Sequence, residues 1–283
     1  MRASERLAAG LAAALLLAAP AGAASDAQAV APVVAAERAF AADGLALGIK
    51  GSFVKHAAPE GLVFIDKPVN AREFYGARPD KAHPPLVWWP VYAGIAKSGD
   101  LGFTTGPATF GGKPSGWYFT VWKKQADGGW KWVYDGGPPS DSAGAPGPEA
   151  PVAALPVATT GTRDAFQAVT AREAALAKAA QTDVASAYAP VLAVDSLMVG
   201  SPTAPLATPE GQARELAARA KAIRFTPLGG EASAAGDLVW TYGAADWTHG
   251  EKPGRGHYVR VWQHRAAGWA LVYDLLLPVS AQS

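Results

Sequence analysis

Three observations predict an α+β fold of two successive modules, each with helices first and antiparallel strands after. Matched aromatic and glycine blocks recur in the two halves of the chain. Helical spacing of apolar residues precedes the blocks in each half, and alternating strand patterns with turn residues fill the blocks themselves. The length of 283 residues agrees, since it corresponds to roughly two domains of ordinary size.

The blocks run in register. Ser98-Gly99-Asp100-Leu101-Gly102-Phe103-Thr104-Thr105-Gly106 answers Ala235-Gly236-Asp237-Leu238-Val239-Trp240-Thr241-Tyr242-Gly243. Gly116-Trp117-Tyr118-Phe119-Thr120-Val121-Trp122 answers Gly256-His257-Tyr258-Val259-Arg260-Val261-Trp262. Gly129-Trp130 and Val133-Tyr134-Asp135 answer Gly268-Trp269 and Val272-Tyr273-Asp274. Order and spacing agree to within a residue or two, which chance explains poorly.

The first module is expected over 31–140 and the second over 163–280. In the first, Pro32 to Val54 places Val34, Glu37, Phe40, Ala41 and Leu45 at helical spacing, with Asp43-Gly44 weakening the middle. In the second, Asp164 to Ala189 carries Phe166, Val169, Leu176, Ala180 and Val184, with Asp164 placed to cap it. Short helices follow near Asn70–Tyr75 and over Thr208–Lys221. Thr208 suits an N-cap, Pro209 the first helical position and Glu210 the positive end of the dipole. Gly99-Asp100 and Gly236-Asp237 mark turns before strands. Trp117–Lys123 and Gly129–Asp135 read as a hairpin, and His257–His264 with Trp269–Leu275 repeats it. Helices followed by antiparallel strands imply helices packed on one face of a bent sheet. The Pro-, Gly- and Ala-rich run from Gly136 to Thr162 reads as an extended linker, centred on 141–162. Ser25 to about Val30 reads as a loose leading segment.

Residues 1–24 read as an export signal. Arg2 and Arg6 form a positive start, Leu7–Ala19 an apolar core, and Pro20-Ala21-Gly22-Ala23 a small-residue cleavage site. There is no twin arginine and no lipidation cysteine. The apolar run is shorter than the ~20 residues of a spanning helix. The expected product is exported, periplasmic or secreted, with no membrane span after cleavage. Removal of the signal takes two of the 25 basic and one of the 24 acidic side chains, so the mature chain is neutral. Without a basic cluster a nucleic-acid partner is excluded. The absence of cysteine excludes a thiol nucleophile, an iron–sulfur cluster and a disulfide framework. None of the five histidines has metal-ligand spacing, and no cofactor motif occurs, so no metal and no cofactor are expected.

The blocks G-D-L-G-F-T-T-G, G-W-Y-F-T-V-W and G-G-W-K-W-V-Y-D resemble the NTF2-like superfamily, in its SnoaL-like or DUF4440-type bacterial branch. The second half is similar in G-D-L-V-W-T-Y-G, G-H-Y-V-R-V-W and G-W-A-L-V-Y-D. The resemblance spans about 36–140 and 165–280. It implies two tandem cone-shaped modules, each a curved antiparallel sheet wrapped around helices and open at one end to a pocket. It also implies a range of roles, from isomerases, cyclases and dehydratases to ligand-binding and association modules, so fold alone does not assign an activity.

Candidate chemistry is sparse. Isomerase-like relatives use a carboxylate just after the helical region, and the matching position is Asp66 in Val63-Phe64-Ile65-Asp66-Lys67-Pro68. Asp66 reads either as that general base or as a turn-capping residue. The second half has no carboxylate there. Tyr242 and Asp246 share a strand face with Leu238 and Trp240 by period two. If that face lines the cone, Tyr242, Asp246 and His257 form a pocket; otherwise Asp246 and His257 are strand-end or edge residues. Tyr118 and Tyr258 recur in both halves and read as core or as ligand platform. Asp135 and Asp274 also recur, which favours an architectural role at strand ends. Trp88-Trp89 reads as a contact surface or as buried under the sheet. The expected function is a non-catalytic binding or accessory role that takes a small apolar or aromatic molecule, since the motifs carry no catalytic constellation. An isomerase-, cyclase- or dehydratase-type enzyme using Asp66 and a protein-association module are the alternatives. The modules are expected to pack as a pseudo-dimer or to support a homo-oligomer.

Overall fold

The computed structural model describes residues 21–79 and 83–279. The first module opens with α1 (Ala21–His56), then β1 (Ala57–Phe64), β2 (Pro68–Asn70), α2 (Ala71–Gly76), β3 (Leu86–Trp88) and β4 (Tyr92–Ile95). It continues with β5 (Leu101–Phe110), β6 (Lys113–Lys124), β7 (Trp130–Gly136) and β8 (Ala153–Ala154). The second module comprises α3 (Ala165–Ala180), α4 (Val184–Tyr188), β9 (Leu192–Val199) and α5 (Pro209–Ala218). Its remaining strands are β10 (Ile223–Ala232), β11 (Leu238–His249), β12 (Lys252–Arg265) and β13 (Gly268–Pro278).

Each module has its own sheet, ordered β2-β1-β7-β6-β5-β4-β8 in the first, with β3 also on β5, and β10-β11-β12-β13-β9 in the second. The fold class is therefore α+β as the sequence predicts. The long strands pair antiparallel, while β1 joins β7 and β9 joins β13 in parallel. That parallel strand follows from the chain path: it leaves the helices and enters the sheet beside the last strand.

A bulge recurs at the same place in both hairpins. Val121 faces Tyr134 while Trp122 faces Trp132, leaving Val133 as the extra residue. Val261 faces Tyr273 while Trp262 faces Leu271, leaving Val272 extra. An extra residue re-aims the side chains after it. Tyr134 and Tyr273 therefore turn outward, and the following aspartates turn toward the helices, opposite Thr120 and Arg260.

The two faces of each sheet bury different things. One face packs on its own helices: Phe40, Phe53, Trp88, Trp122 and Trp132 in the first module, Val169, Leu176, Tyr188, Tyr258 and Trp262 in the second. The other faces pack on each other. Phe103, Phe119, Val121 and Tyr134 meet Trp240, Val259, Val261, Tyr273 and Leu275 in one shared cluster. Phe119 stacks on Tyr273 with ring centroids 3.9 Å apart. The rim is tied by turns: Lys97 N–H donates to Asp237 at 2.8 Å, and Ala234 N–H donates to Asp100 at 2.9 Å. Lys123 reaches Glu231 at 2.6 Å.

Several expectations need correcting. The segment from Ser25 to Val30 is helical, with Val30 buried and the Asp26 carboxylate accepting from the Val157 N–H at 3.0 Å. Most of the proposed export signal lies outside the described residues. The run over 141–162 is not a free linker. Its Ala153–Ala154 pairs in parallel with β4, Leu155 is fully buried, and Asp141 N–H donates to Pro202 at 2.6 Å. Pro and Gly removed regular structure there, but apolar residues between them still found a surface. Helix α1 breaks at Gly48, whose φ of 71° suits glycine, not at Asp43-Gly44. Gly44 has another role: a Cβ there would sit 2.7 Å from the Trp88 ring. Asp164 precedes α3 without a side-chain cap bond, whereas Thr208 accepts from Gly211 N–H and Pro209 opens α5 as expected. The helix expected over Asp164–Ala189 divides in two, with Asp183 capping the second piece.

Because both sheets share one apolar cluster, the modules should unfold together. Phe119→Ala removes a fully buried ring and is expected to cost about 3–5 kcal/mol. Denaturant unfolding followed by tryptophan fluorescence and by circular dichroism should then show one shifted transition for both probes, not two separate ones.

Candidate functional site

The helix-facing side of each sheet buries a glutamate from the module's first helix. Glu37 of α1 accepts from the Trp88 indole at 2.6 Å, from the Trp122 indole at 3.1 Å, and from the Thr104 hydroxyl. Glu173 of α3 accepts from the Trp262 indole and the Thr241 hydroxyl, both at 2.7 Å. Thr104 and Thr241, like Trp122 and Trp262, are matched positions in the sequence blocks. Buried polar groups need such partners. Burial raises the pKa of Glu37 above the ordinary carboxylate value, and its donors offset only part of that.

The aspartate at the end of each hairpin completes the pair, and here the modules diverge. In the second module Arg260 stands opposite Asp274 and spans the two acids. It pairs with Glu173 and, at 2.7 Å, with Asp274. Arg219 pairs with Asp274 at 2.6 Å and with Glu215 at 3.2 Å. The Tyr188 hydroxyl donates to Asp274 at 2.9 Å and accepts from both arginines. Burial pushes Asp274 up, but the two arginines outweigh it and hold the carboxyl below its ordinary value. This interior is filled with charge.

In the first module the residue opposite Asp135 is Thr120, whose hydroxyl donates to it at 2.8 Å. Among the described residues no cation takes the place of Arg260. Burial, with the nearby Glu37 charge, raises Asp135 from 3.8 to about 8, against the Thr120 hydrogen bond. A cavity of about 320 Å³ opens on this carboxyl. Phe53, Tyr75, Leu86, Trp88, Ala108 and Tyr118 form its apolar walls, with Ser115 and the backbone of Gly136 to Pro139 completing it. The glycines let the chain turn back close to β6: a Cβ on Gly137 would lie 2.1 Å from the Trp117 carbonyl oxygen. A carboxyl group facing an aromatic cavity can, when neutral, donate a hydrogen bond or its proton to a ligand, and, when ionised, accept a proton from one.

The sequence-predicted residues are scattered. Tyr118 lines the cavity. Tyr258 is its counterpart in the filled second module, buried beneath the Arg260 guanidinium at 4.1 Å. Asp66 is exposed at the turn after β1 and faces Arg255 at 3.5 Å, outside the cavity lining. Tyr242 and His257 lie on the opposite sheet face, where both pack on Phe64 of the first module. Burial lowers the His257 pKa, with Arg255 adding to the effect and Asp66 opposing it. Asp246 is half-exposed and pairs with Arg224 at 2.8 Å. Trp88 is buried on Glu37. Among the described residues no cluster of three or more His, Cys, Asp or Glu could hold a metal ion, and no helix is long and apolar enough to cross a membrane.

No known protein family matches the chain by sequence profile, and no curated protein matches it. Solved structures do. An NTF2-like protein from Cytophaga hutchinsonii is 16% identical over 40% of this chain and 98% of its own, with a TM-score of 0.33. A ketosteroid isomerase-like protein from Erwinia carotovora atroseptica is 13% identical over 42% of this chain and 100% of its own, with a TM-score of 0.36. The association domain of C. elegans CaMKII is 12% identical over 39% of this chain and 93% of its own, with a TM-score of 0.31.

Sequence reading passed over Glu37, Glu173 and Arg260 as chemistry, and took Asp135 as architectural. One signal was available. Position 120 of the aligned blocks holds Thr where position 260 holds Arg, a permanent cation gained between two apolar valines.

Two outcomes test this description. Between its unfolded and folded pKa values, Asp135 binds more protons in the folded state, so it lowers stability as pH rises from about 4 to about 8. Asp135→Asn should therefore gain stability on the wild type across that window, measured as melting temperature against pH. Arg260→Met leaves Glu173 and Asp274 short of a buried cation and should cost about 3–5 kcal/mol in chemical denaturation.

Proposed function

We propose that this is a small-molecule-binding or accessory protein whose working pocket is the first-module cavity above Asp135. The observation that carries the reading is the Thr120–Arg260 difference: one cone holds an open aromatic cavity, the other a packed ion-pair network. The ligand is a small apolar or aromatic molecule, held by ring contacts and oriented by one carboxyl group. On this reading the second module is a filled copy of the first, and the block-by-block correspondence supports a tandem duplication of a SnoaL-like unit. The second copy then serves as the folded support for the first, through the shared sheet interface. The positive start, apolar run and small-residue site before the first module support export to the periplasm or the medium.

Catalysis is the second reading, favoured by the Asp135 carboxyl, which faces an apolar cavity and whose burial raises its pKa to about 8. Asp66, exposed and facing Arg255, lacks such surroundings.

A screen of small aromatic compounds by thermal shift tests the reading. A ligand at one hundred times its Kd should stabilise the wild type by about 2.7 kcal/mol. Ala108→Phe, which fills the cavity, should abolish the shift, while Asp66→Asn should keep it. Mass spectrometry of the recovered compound separates the two readings: unchanged for a binding protein, converted only when Asp135 is intact for an enzyme.

A further inference from the structure

We propose that the first-module cavity takes an organic cation, an ammonium or guanidinium group on an aromatic body, with its charge seated between Asp135 and the ring of Tyr118. The inference rests on the cavity being a ligand pocket and names the class of ligand.

The second module supplies the template. There a guanidinium sits between two buried acids and over a tyrosine ring: Arg260 with Glu173, with Asp274 at 2.7 Å, and 4.1 Å from the Tyr258 ring centroid. The first module has the matching surroundings. Glu37 occupies the place of Glu173, Asp135 that of Asp274, and Tyr118 that of Tyr258. It differs in the cation, because residue 120 is threonine. Among the described residues that line the cavity there is no Lys, Arg or His.

The acids are asymmetric in what they already hold. Glu37 is satisfied by two indoles and a hydroxyl. Among the described residues Asp135 accepts only from Thr120, on one of its two oxygens, and it faces the cavity. The Tyr118 hydroxyl is buried without a hydrogen-bond partner. A cation entering here meets a carboxyl group with one oxygen unengaged, a second acid behind it and aromatic walls including Trp88. Cations bind over such rings most strongly where water is excluded. Moving a charge out of water is costly, and the second module shows the matched acids and tyrosine closing around Arg260, there with Arg219 and Tyr188 also on Asp274.

Isothermal titration of the purified protein with phenethylamine, phenethyl alcohol and phenylacetate tests the idea. Phenethylamine should bind at least about tenfold tighter than the alcohol, and phenylacetate weakest. Amine binding near pH 7 should release protons, because the arriving charge ionises Asp135; the other titratable groups close to it are Glu37, Tyr75, Tyr118 and Tyr134. Asp135→Asn should remove the preference for amine while keeping alcohol binding. Thr120→Arg, which supplies the cation within the chain, should abolish amine binding and raise the melting temperature. Alcohol binding as tight as amine, or an amine preference that survives Asp135→Asn, overturns the cation inference and leaves the pocket reading standing. If none of the three probes binds, both fall.

Discussion

The sheet-on-sheet contact centred on Phe119 and Tyr273 is the constraint on which the rest depends. It joins the two modules through one apolar cluster. By burying one face of each sheet against the other module, it commits the opposite faces to the helices. A strand's side chains alternate, so this choice determines the direction of every residue in the hairpins. Tyr242 and His257 become interface residues, while Tyr118, Thr120 and Trp122 point inward. The bulges at Val133 and Val272 then turn Asp135 and Asp274 in as well.

Within that frame the interior is organised around buried acids. A helix glutamate held by an indole and a hydroxyl appears in both modules, with matching donors. Such a group stays in place only because its hydrogen bonds are made. The neighbouring aspartate is where the modules part. With arginine opposite, the space closes into ion pairs; with threonine opposite, it remains a cavity whose acid stays largely protonated near neutrality. The Arg260–Thr120 difference, together with Arg219, Glu215 and Tyr188 in the second module, separates a filled core from an open one. The cost is a less favourable electrostatic balance in the first module, the kind of local inconsistency that functional sites carry.

Much of the fold was legible. The repeated turns, the hairpins, the cap at Thr208 and the helix-then-sheet order all follow from local chemistry. The segments that went astray depended on distant contacts. Ser25–Val30 is polar and alanine-rich by itself, yet Val30 and Asp26 find partners on the first module. The run over 141–162 carries the composition of a linker, yet Leu155 has a buried place beside β4. Composition reports what a segment can do alone, and neither segment is alone.

The site was legible only in part. Tyr118 was identified because it recurs in an aromatic block. Asp135 was passed over for the same reason, since recurrence suggested architecture in both halves. What the sequence by itself determined was the set of elements, their order and the matched positions in the two modules. These rest on short-range forces: periodicity, turn geometry and capping. Only the tertiary structure decided which sheet face points inward, and therefore which residues meet. Period two leaves two equal choices for a strand, and packing against a partner far along the chain breaks the tie.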